Sequence, residues 1–310
     1  MTRTVVARAY GGPEVLAIQD IELPAPGPGQ VLLDVCAAGT NSVDYKLYSG
    51  AMGDDPAALP MPVGMEVAGV VAATGAGAQG YTGALSVGDE VIATTVRGGY
   101  SEQLVVAAAD VRHKPAELSF EEAAGLILAG ATAWHLLMKT DVGTGDTVLI
   151  HAAGGGVGLM AVQLAAARGA RVIATASPSG HDKLRGYGAH PVVYGPGLAD
   201  RVRAIGTVDA ALDLVGTDEA LATSGEVGAD RARIATIAGF GRAGELGIAA
   251  LTGADGGQEI RDAARPELIR LADEGKLKVT VDKVFSLGEA ADAHRYLQAG
   301  HTRGKVVLVP

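Results

Sequence analysis

The sequence predicts an α/β protein built in two parts, and three observations predict it. Short β-prone runs separated by Gly and Pro fill the first third of the chain. From Thr147 onward, β-prone runs alternate with helical patterns, which is typical of a doubly wound parallel sheet. A glycine cluster, Gly154-Gly155-Gly156, ends the first of these later runs directly before a helical pattern. We therefore expect a β-rich part followed by a parallel sheet with helices on both faces.

The β-rich part is predicted from apolar runs that end in turn residues such as Gly11-Gly12-Pro13 and Gly98-Gly99. These runs do not alternate with helical patterns, so they fit a partly open antiparallel barrel. The predicted strands are residues 4–9, 15–21, 31–38, 67–73, 90–95 and 101–106.

The pattern changes near Ser119, which forms a capping box with Glu122 ahead of an apolar helical stretch. A second helical stretch is predicted at 132–139. Later strands are predicted at 147–152, 171–176, 191–194, 208–214 and 233–237, with helices between them and near 266–274. The tail holds a predicted helix near 287–299 and a strand, Lys305–Val309, which we expect to return to the first part.

The glycine cluster carries the strongest functional signal. Gly155 and Gly158 fill the second and third glycine places of the pattern G-x-G-x-x-G, and Ala153 stands at the first. A strand, a glycine turn and a helix in this order seat a dinucleotide pyrophosphate on the helix N-terminus. We therefore expect Gly155, Gly156, Val157 and Gly158 to bind a cofactor.

Composition excludes several other classes of function. The net charge of −10 disfavours binding to nucleic acid or to an anionic membrane surface. No run approaches the roughly 18 apolar residues that span a bilayer, and the N-terminus lacks the apolar core of a signal peptide. The single cysteine, Cys36, forms no intrachain disulfide and is interpreted as a buried strand thiol. These features predict a cytoplasmic protein.

Further motifs follow one another along nearly the whole chain: AGTNSVDYK at 38–46, PVGMEVAGVV at 62–71, VGDEV at 87–91, GGYSE at 98–102, GATAW at 130–134 and HTRGKVVL at 301–308. With the glycine turn, they resemble the zinc-free quinone oxidoreductase-like branch of the medium-chain dehydrogenase/reductase superfamily. The resemblance implies a GroES-like catalytic domain at 1–120, completed by about 285–310, and a Rossmann NADPH-binding domain at 121–284. It also implies a cleft between the two domains and a homodimer.

The resemblance also bears on metal binding. Zinc members of the superfamily hold catalytic zinc with a cysteine, the histidine of a Gly-His-Glu motif and a further cysteine or acid. Here that motif reads Gly64-Met65-Glu66, and one cysteine cannot build a four-cysteine structural site. We therefore expect no metal. Without a Lewis acid, reduction of an already electrophilic acceptor is favoured over alcohol oxidation.

The end of the second strand of the parallel sheet predicts NADPH rather than NADH. An NAD site usually places an acid there for the ribose 2′-hydroxyl, whereas this chain has Ala176. Ser177 and Lys183 are candidate partners of the 2′-phosphate. The resemblance adds Tyr194 as a phosphate contact, Phe240 in a loop that lines the cofactor, and Arg303 as a further phosphate contact.

Catalysis is assigned to residues beside the reacting centre, because the cofactor itself supplies the hydride. Asn41 is expected to donate a hydrogen bond to the developing oxyanion or to position the nicotinamide; a turn residue is the alternative. Thr132 is expected at the start of a helix, where it contacts cofactor or substrate or caps the helix. Lys46 follows Asn41 on a predicted loop, where quinone reductases of this branch often carry tyrosines.

The leading functional hypothesis is an NADPH-dependent reductase of a small electrophilic substrate, either a quinone or an α,β-unsaturated carbonyl compound. One alternative is an enoyl-thioester reductase. A second is a non-catalytic, crystallin-like protein that binds NADPH.

Overall fold

The computed structural model describes residues 1–254 and 256–310, which group into two compact units. Unit 1 consists of Met1–Leu128 and Val279–Pro310, and unit 2 consists of Ala129–Lys278. In the described part of the chain, no helix combines the length and apolar character that crossing a bilayer requires.

The first segment of unit 1 is rich in short strands. It contains β1 (Thr2–Ala7), β2 (Leu16–Ile21), β3 (Gln30–Gly39), α1 (Ser42–Tyr48), β4 (Met61–Pro62), β5 (Glu66–Thr74), β6 (Gln79–Gly80), β7 (Gly83–Ala84), β8 (Glu90–Thr94), β9 (Gln103–Ala107), β10 (Val111–His113) and α2 (Phe120–Ala123).

Unit 2 alternates strands and helices after α3 (Ile127–Lys139), which begins at the boundary between the units. It contains β11 (Thr147–Ile150), α4 (Gly156–Ala167), β12 (Arg171–Thr175), α5 (His181–Gly186), β13 (His190–Val192), α6 (Leu198–Arg203), β14 (Ala210–Asp213), α7 (Asp218–Glu226), β15 (Ile234–Thr236), α8 (Phe240–Leu246), β16 (Ala249–Ala250) and α9 (Gly257–Asp273). The chain then returns to unit 1 with β17 (Val281–Ser286), α10 (Ala290–Gln298) and β18 (Lys305–Val309).

The sheet of unit 2 is parallel throughout, in the order β13-β12-β11-β14-β15-β16. Its chain order runs outward from β11 to one edge and then outward again to the other, which is the doubly wound arrangement. Strand β11 is buried at Val148, Leu149 and Ile150, because helices cover both faces of such a sheet. The predicted fold class is confirmed.

The main sheet of unit 1 has the order β10-β8-β5-β3-β18-β17, with β9 also paired to β3. Its pairs are antiparallel except β17 with β18. Strand β18 pairs with β3 through Leu308 and Ala38, so the predicted return of the last strand is confirmed. Because β5 and β18 run antiparallel to β3, the last residues of β3 lie beside the first residues of β5 and β18 at one end of the strands.

Several short strands, among them β10 and β17, were not predicted, and three helices differ from the prediction. Helix α3 begins at Ile127 rather than Thr132. Its first residues were missed because Ala129, Gly130 and Ala131 are small and show no clear apolar periodicity. Helix α9 extends across Pro266, where the sequence predicted a helix only near 266–274. Residues 42–48 form α1, so the prediction of a loop after Asn41 was wrong.

Candidate functional site

The glycine turn of unit 2 connects β11 to α4. A Cβ atom on Gly158 would lie 2.6 Å from the carbonyl oxygen of Ala152 and 2.6 Å from Cα of Ala153, so the helix packs against the turn only because position 158 is glycine. Gly155 is the N-cap of α4, and no side chain caps the helix there. The first-turn N–H groups, including those of Gly156 and Val157, therefore remain available to an anion.

The end of β12 faces this turn. Ala176 is buried, and its backbone N–H donates to the Val192 carbonyl oxygen at 3.0 Å. Its Cβ lies next to the glycine turn, 3.8 Å from where a Cβ on Gly154 would be. Ser177 follows as a half-buried residue, and its Oγ lies 3.1 Å from Oγ of Ser179. No carboxylate therefore stands where an acid would bind a ribose 2′-hydroxyl.

Cationic and aromatic candidates lie beyond β12 in the same unit. Lys183 is exposed on α5, whereas the neighbouring Arg185 donates to Asp182 at 2.7 Å. Tyr194 follows β13 and is 46% exposed. Lys183 and Tyr194 are therefore both open to a ligand on this unit.

Two buried residues that the sequence did not single out hold the loops after β14 and β15. Asp213 Oδ1 accepts from the N–H groups of Val215 and Gly216 at 3.1 and 2.9 Å, and Asp213 Oδ2 accepts from Thr236 Oγ1 at 2.5 Å. Thr236 Oγ1 accepts in turn from the N–H groups of the next loop. Both loops are thereby fixed at the carboxyl edge of the sheet, where doubly wound sheets bind ligands. The sequence signal for this site was an acidic residue, Asp213, at the end of an apolar strand.

Two further predicted residues lie in unit 2. Phe240 begins α8 just after the Thr236 loop and is 41% exposed. Thr132 is buried in the interior of α3, five residues after that helix begins, so the expectation of a helix start or N-cap at Thr132 was wrong.

In unit 1, Asn41 follows β3 as the N-cap of α1 and is buried. Its Nδ2 donates to Glu66 Oε1 at 2.9 Å and to the Gly39 carbonyl oxygen at 3.3 Å. Its Oδ1 accepts from Lys305 Nζ at 2.7 Å. The side chain is therefore held within unit 1 by β3, β5 and β18, and the N–H of Asp44 donates to the backbone oxygen of Asn41 at 3.0 Å.

Glu66 and Lys305 form a buried salt bridge, with Nζ 2.9 Å from Oε1 and side chains 0% and 4% exposed. Lys305 Nζ also donates to the Thr40 carbonyl oxygen at 3.0 Å, and Glu66 Oε2 accepts from the N–H of Leu128 at 3.0 Å. Such a pair is sustained only when further hydrogen bonds satisfy both ions, as they do here. Sequence reasoning missed both residues, although Glu66 stands in the Gly64-Met65-Glu66 motif.

A second buried network lies beside the first. Tyr100 Oη donates to Asp44 Oδ2 at 2.9 Å and lies 3.0 Å from Nε2 of His294, whose Nδ1 lies 2.7 Å from Tyr48 Oη. Burial lowers the pKa of His294 to about 4, so its ring is neutral near pH 7. Burial also raises the pKa of Asp44 to about 7, against the lowering effect of its bonds from Tyr100 and the N–H of Asn41.

The other predicted residues of unit 1 are more exposed. Lys46 is half-buried on α1, and burial lowers the pKa of its ammonium group. Arg303 is exposed before β18, and its N–H donates to Asp282 Oδ2 at 3.0 Å. Unit 1 therefore holds Asn41, Lys46 and Arg303, and unit 2 holds the other predicted site residues.

The residues at the zinc-motif position do not fit a metal. Met65 offers a thioether where a histidine would bind, and Cys36 is a half-buried thiol of β3 whose pKa burial raises. Within residues 1–254 and 256–310, no group of three or more His, Cys, Asp or Glu side chains is placed to hold a metal ion.

Comparison with known proteins gives a consistent result. Residues 27–142 match a family model described as the alcohol dehydrogenase GroES-like domain, and residues 187–308 match one described as zinc-binding dehydrogenase. The quinone oxidoreductase of Pseudomonas aeruginosa is 35% identical over the full length of both chains.

Two solved structures are similar to all or nearly all of the chain. The structure of Escherichia coli quinone oxidoreductase complexed with NADPH superposes with a TM-score of 0.85 at 29% identity, covering 100% of both chains. The CurK enoyl reductase superposes with a TM-score of 0.86 at 28% identity, covering 99% of both.

Proposed function

The chain belongs to the quinone oxidoreductase-like members of the medium-chain dehydrogenase/reductase superfamily, and from this premise we propose that it is a zinc-independent, NADPH-dependent reductase. Its substrate is a small electrophile, either a quinone or an α,β-unsaturated carbonyl compound. NADPH, when bound, supplies the hydride. The chain supplies binding, orientation and stabilisation of negative charge.

Unit 2 provides the features that fit NADPH. The glycine turn lets the pyrophosphate approach the uncapped N-terminus of α4, since a side chain at position 158 would clash with the turn. Ala176 carries no charge that would repel a 2′-phosphate. Ser177 and Lys183 are the proposed partners of that phosphate, with Tyr194 beside them. Phe240 and the loop fixed by Thr236 are proposed to line the cofactor.

The single observation that carries the proposal is the combination of this glycine turn with Ala176 in place of an acid. The family supplies hydride chemistry, and the strand end selects the phosphorylated cofactor. Arg303 is proposed as a further phosphate contact. Its guanidinium is exposed, while its backbone is held by Asp282.

Reduction of a conjugated carbonyl places negative charge on the substrate oxygen, and preorganised donors stabilise that charge. We assign this role to the ammonium group of Lys46 and the hydroxyl of Thr132. Partial burial weakens the hydration of Lys46, which strengthens its attraction to a developing oxyanion. Asn41 is assigned to the nicotinamide.

The experiment is NADPH oxidation, followed by absorbance, with quinones, enones and enoyl thioesters as acceptors. We expect turnover with at least one quinone or enone, and weaker turnover with NADH. NADPH binding without turnover on any acceptor would support the non-catalytic alternative. Light scattering on the same sample tests the expected homodimer.

A second candidate function, enoyl-thioester reduction, is favoured by the likeness to the CurK enoyl reductase. Both reactions deliver hydride to a carbon conjugated with a carbonyl group, so the same donors serve either acceptor. A higher kcat/KM for enoyl thioesters than for every quinone and simple enone would select this alternative.

A further inference from the structure

The amide of Asn41 has almost no hydrogen-bonding capacity left. An asparagine side chain offers two N–H donors and two oxygen lone pairs. Glu66 Oε1 and the Gly39 carbonyl oxygen take both donors, and Lys305 Nζ takes one lone pair. These bonds leave one lone pair of Oδ1 unused, and no N–H group of the amide.

The orientation of this amide is unambiguous. Lys305 can only donate and the carboxylate of Glu66 can only accept, so Oδ1 must face the former and Nδ2 the latter. Lys305 is itself committed, because its three N–H groups bond to Thr40, Asn41 and Glu66. Neither member of the salt bridge is free to release the amide.

The sheet of unit 1 makes this arrangement rigid. Glu66 is the first residue of β5, Lys305 is the first residue of β18, and Asn41 follows the end of β3 by two residues. Because β5 and β18 flank β3 and run antiparallel to it, these three side chains meet at one edge. Pairing of the strands therefore sets the position of the Asn41 amide.

We infer that the Glu66–Lys305 salt bridge positions Asn41 as a hydrogen-bond acceptor for the carboxamide N–H of the nicotinamide, and that Asn41 is not the donor to the oxyanion. This inference rests on the proposed function, since it requires NADPH. Glu66 and Lys305 are positioning residues that act through Asn41. Stabilisation of the oxyanion then falls to other groups.

An exchange variant separates acceptor from donor. Asn41→Asp keeps an acceptor but sets a second carboxylate against Glu66, and we expect it to lower both the apo unfolding temperature and turnover, the latter at least tenfold. The double variant Asn41→Asp/Glu66→Gln removes the second carboxylate: the new carboxylate at position 41 can still accept from Lys305 and from the new amide at position 66, although that amide nitrogen cannot itself accept from Lys305. We expect both its turnover and its unfolding temperature to rise above those of Asn41→Asp.

The opposite result would overturn the inference. If Asn41 were the oxyanion donor, the carboxylate introduced at this position could not donate in either variant, and the double variant would turn over no faster than Asn41→Asp although its unfolding temperature had risen. Glu90→Gln is the matched control, because it breaks another Glu–Lys pair of unit 1, with Lys114 Nζ at 3.0 Å, away from this site. We expect Glu90→Gln to leave turnover unchanged.

A cofactor analogue tests the acceptor directly by binding alone. The reduced 3-acetylpyridine analogue of NADPH has a methyl ketone in place of the carboxamide and so lacks the N–H group. The parent should bind NADPH roughly 3- to 10-fold more tightly than the analogue, as expected for one hydrogen bond. Asn41→Leu should remove that preference, and an unchanged preference would overturn the acceptor role.

These measurements also separate the inference from the proposed function. A parent that binds NADPH but reduces no acceptor would contradict the proposed activity, while the affinity ratio would still support or overturn the acceptor role. A parent that does not bind NADPH would overturn both. The apo unfolding temperatures report independently on whether the salt bridge holds Asn41.

Discussion

The phenol oxygen of Tyr48 lies 2.7 Å from Nδ1 of His294, and both residues are fully buried although 246 positions separate them. Because Tyr100 donates to Asp44, it must accept from Nε2–H of His294, which leaves Nδ1 to accept from Tyr48. The contact joins α1 to α10 and assigns one tautomer to a neutral ring. Removing the donor would leave a buried nitrogen without a partner.

We therefore expect Tyr48→Phe to lower the free energy of unfolding by about 1–3 kcal/mol, the cost of an unsatisfied buried group. Urea unfolding measures this. Tyr10→Phe is the control, because the hydroxyl of Tyr10 is exposed where it donates to the Asp55 carbonyl oxygen. Equal losses in the two variants would contradict the assigned network.

The pKa of about 7 for Asp44 predicts an unusual pH dependence of stability. Between the ordinary value of 3.8 and about 7, the folded protein keeps a proton that the unfolded chain releases. This contribution to stability is full below pH 3.8 and is lost as the pH rises through 7, with a slope of up to about 1.4 kcal/mol per pH unit.

Asp44→Asn should remove that slope. The unfolding free energy of the parent minus that of the variant should fall steadily as the pH rises through this window, because only the parent loses stability. His135, His151 and His294 have pKa values lowered to about 4 by burial and change stability in the opposite sense, but they are common to both proteins and cancel. A difference that stays constant with pH would show that Asp44 is ionised throughout.

Gly158→Ala should destabilise unit 2 and weaken NADPH binding, because the added Cβ would lie 2.6 Å from backbone atoms of the glycine turn. Overpacking of this kind costs about 1–3 kcal/mol. Gly225→Ala on α7 is the matched control, since its Cβ would meet no atom within 4 Å. It should stabilise the protein slightly. Thermal unfolding and NADPH fluorescence titration measure both effects.

Ala176→Asp should shift cofactor preference toward NADH. The new carboxylate would repel a 2′-phosphate and accept from a 2′-hydroxyl, so the ratio of NADPH to NADH affinity should fall at least tenfold, about 1.4 kcal/mol. Ala176→Asn has nearly the same size without the charge and should change the ratio less. Tighter binding of NADH than of NADPH by the parent would contradict the assignment.

Metal removal should have no effect on activity. Met65 stands at the usual histidine position and Cys36 is the only cysteine, so we expect no stoichiometric zinc and unchanged turnover after incubation with a chelator. Elemental analysis checks the first expectation and a chelator series the second. About one zinc per chain, lost together with activity, would refute both.

The parallel sheet could be predicted from sequence because its central strands are buried on both faces and form continuous apolar runs, as at Val148–Ile150. The glycine turn could be predicted because its physical requirement is local. Helix α1 could not, since seven residues with mixed polarity carry too little periodicity, and an asparagine before a serine suits a turn equally well.

The buried network around Asn41 could not be predicted for a different reason. Glu66 and Lys305 are 239 positions apart, and each alone is typical of an exposed strand end. Only the order of β5, β3 and β18 brings them together. The polar atoms that set the orientation of a candidate catalytic amide are thus a property of sheet topology.

The place of β18 beside β3 also sets an order of assembly during synthesis. Unit 2, Ala129–Lys278, is continuous in the chain and can fold as soon as it leaves the ribosome, since domains generally fold as units. The main sheet of unit 1 cannot be completed until β18 has been synthesised. Until then, Glu66 and Asn41 lack Lys305, the cation that both side chains bind. During synthesis, the unit proposed to bind the dinucleotide is therefore complete before the strand that orients the amide of Asn41 has been made.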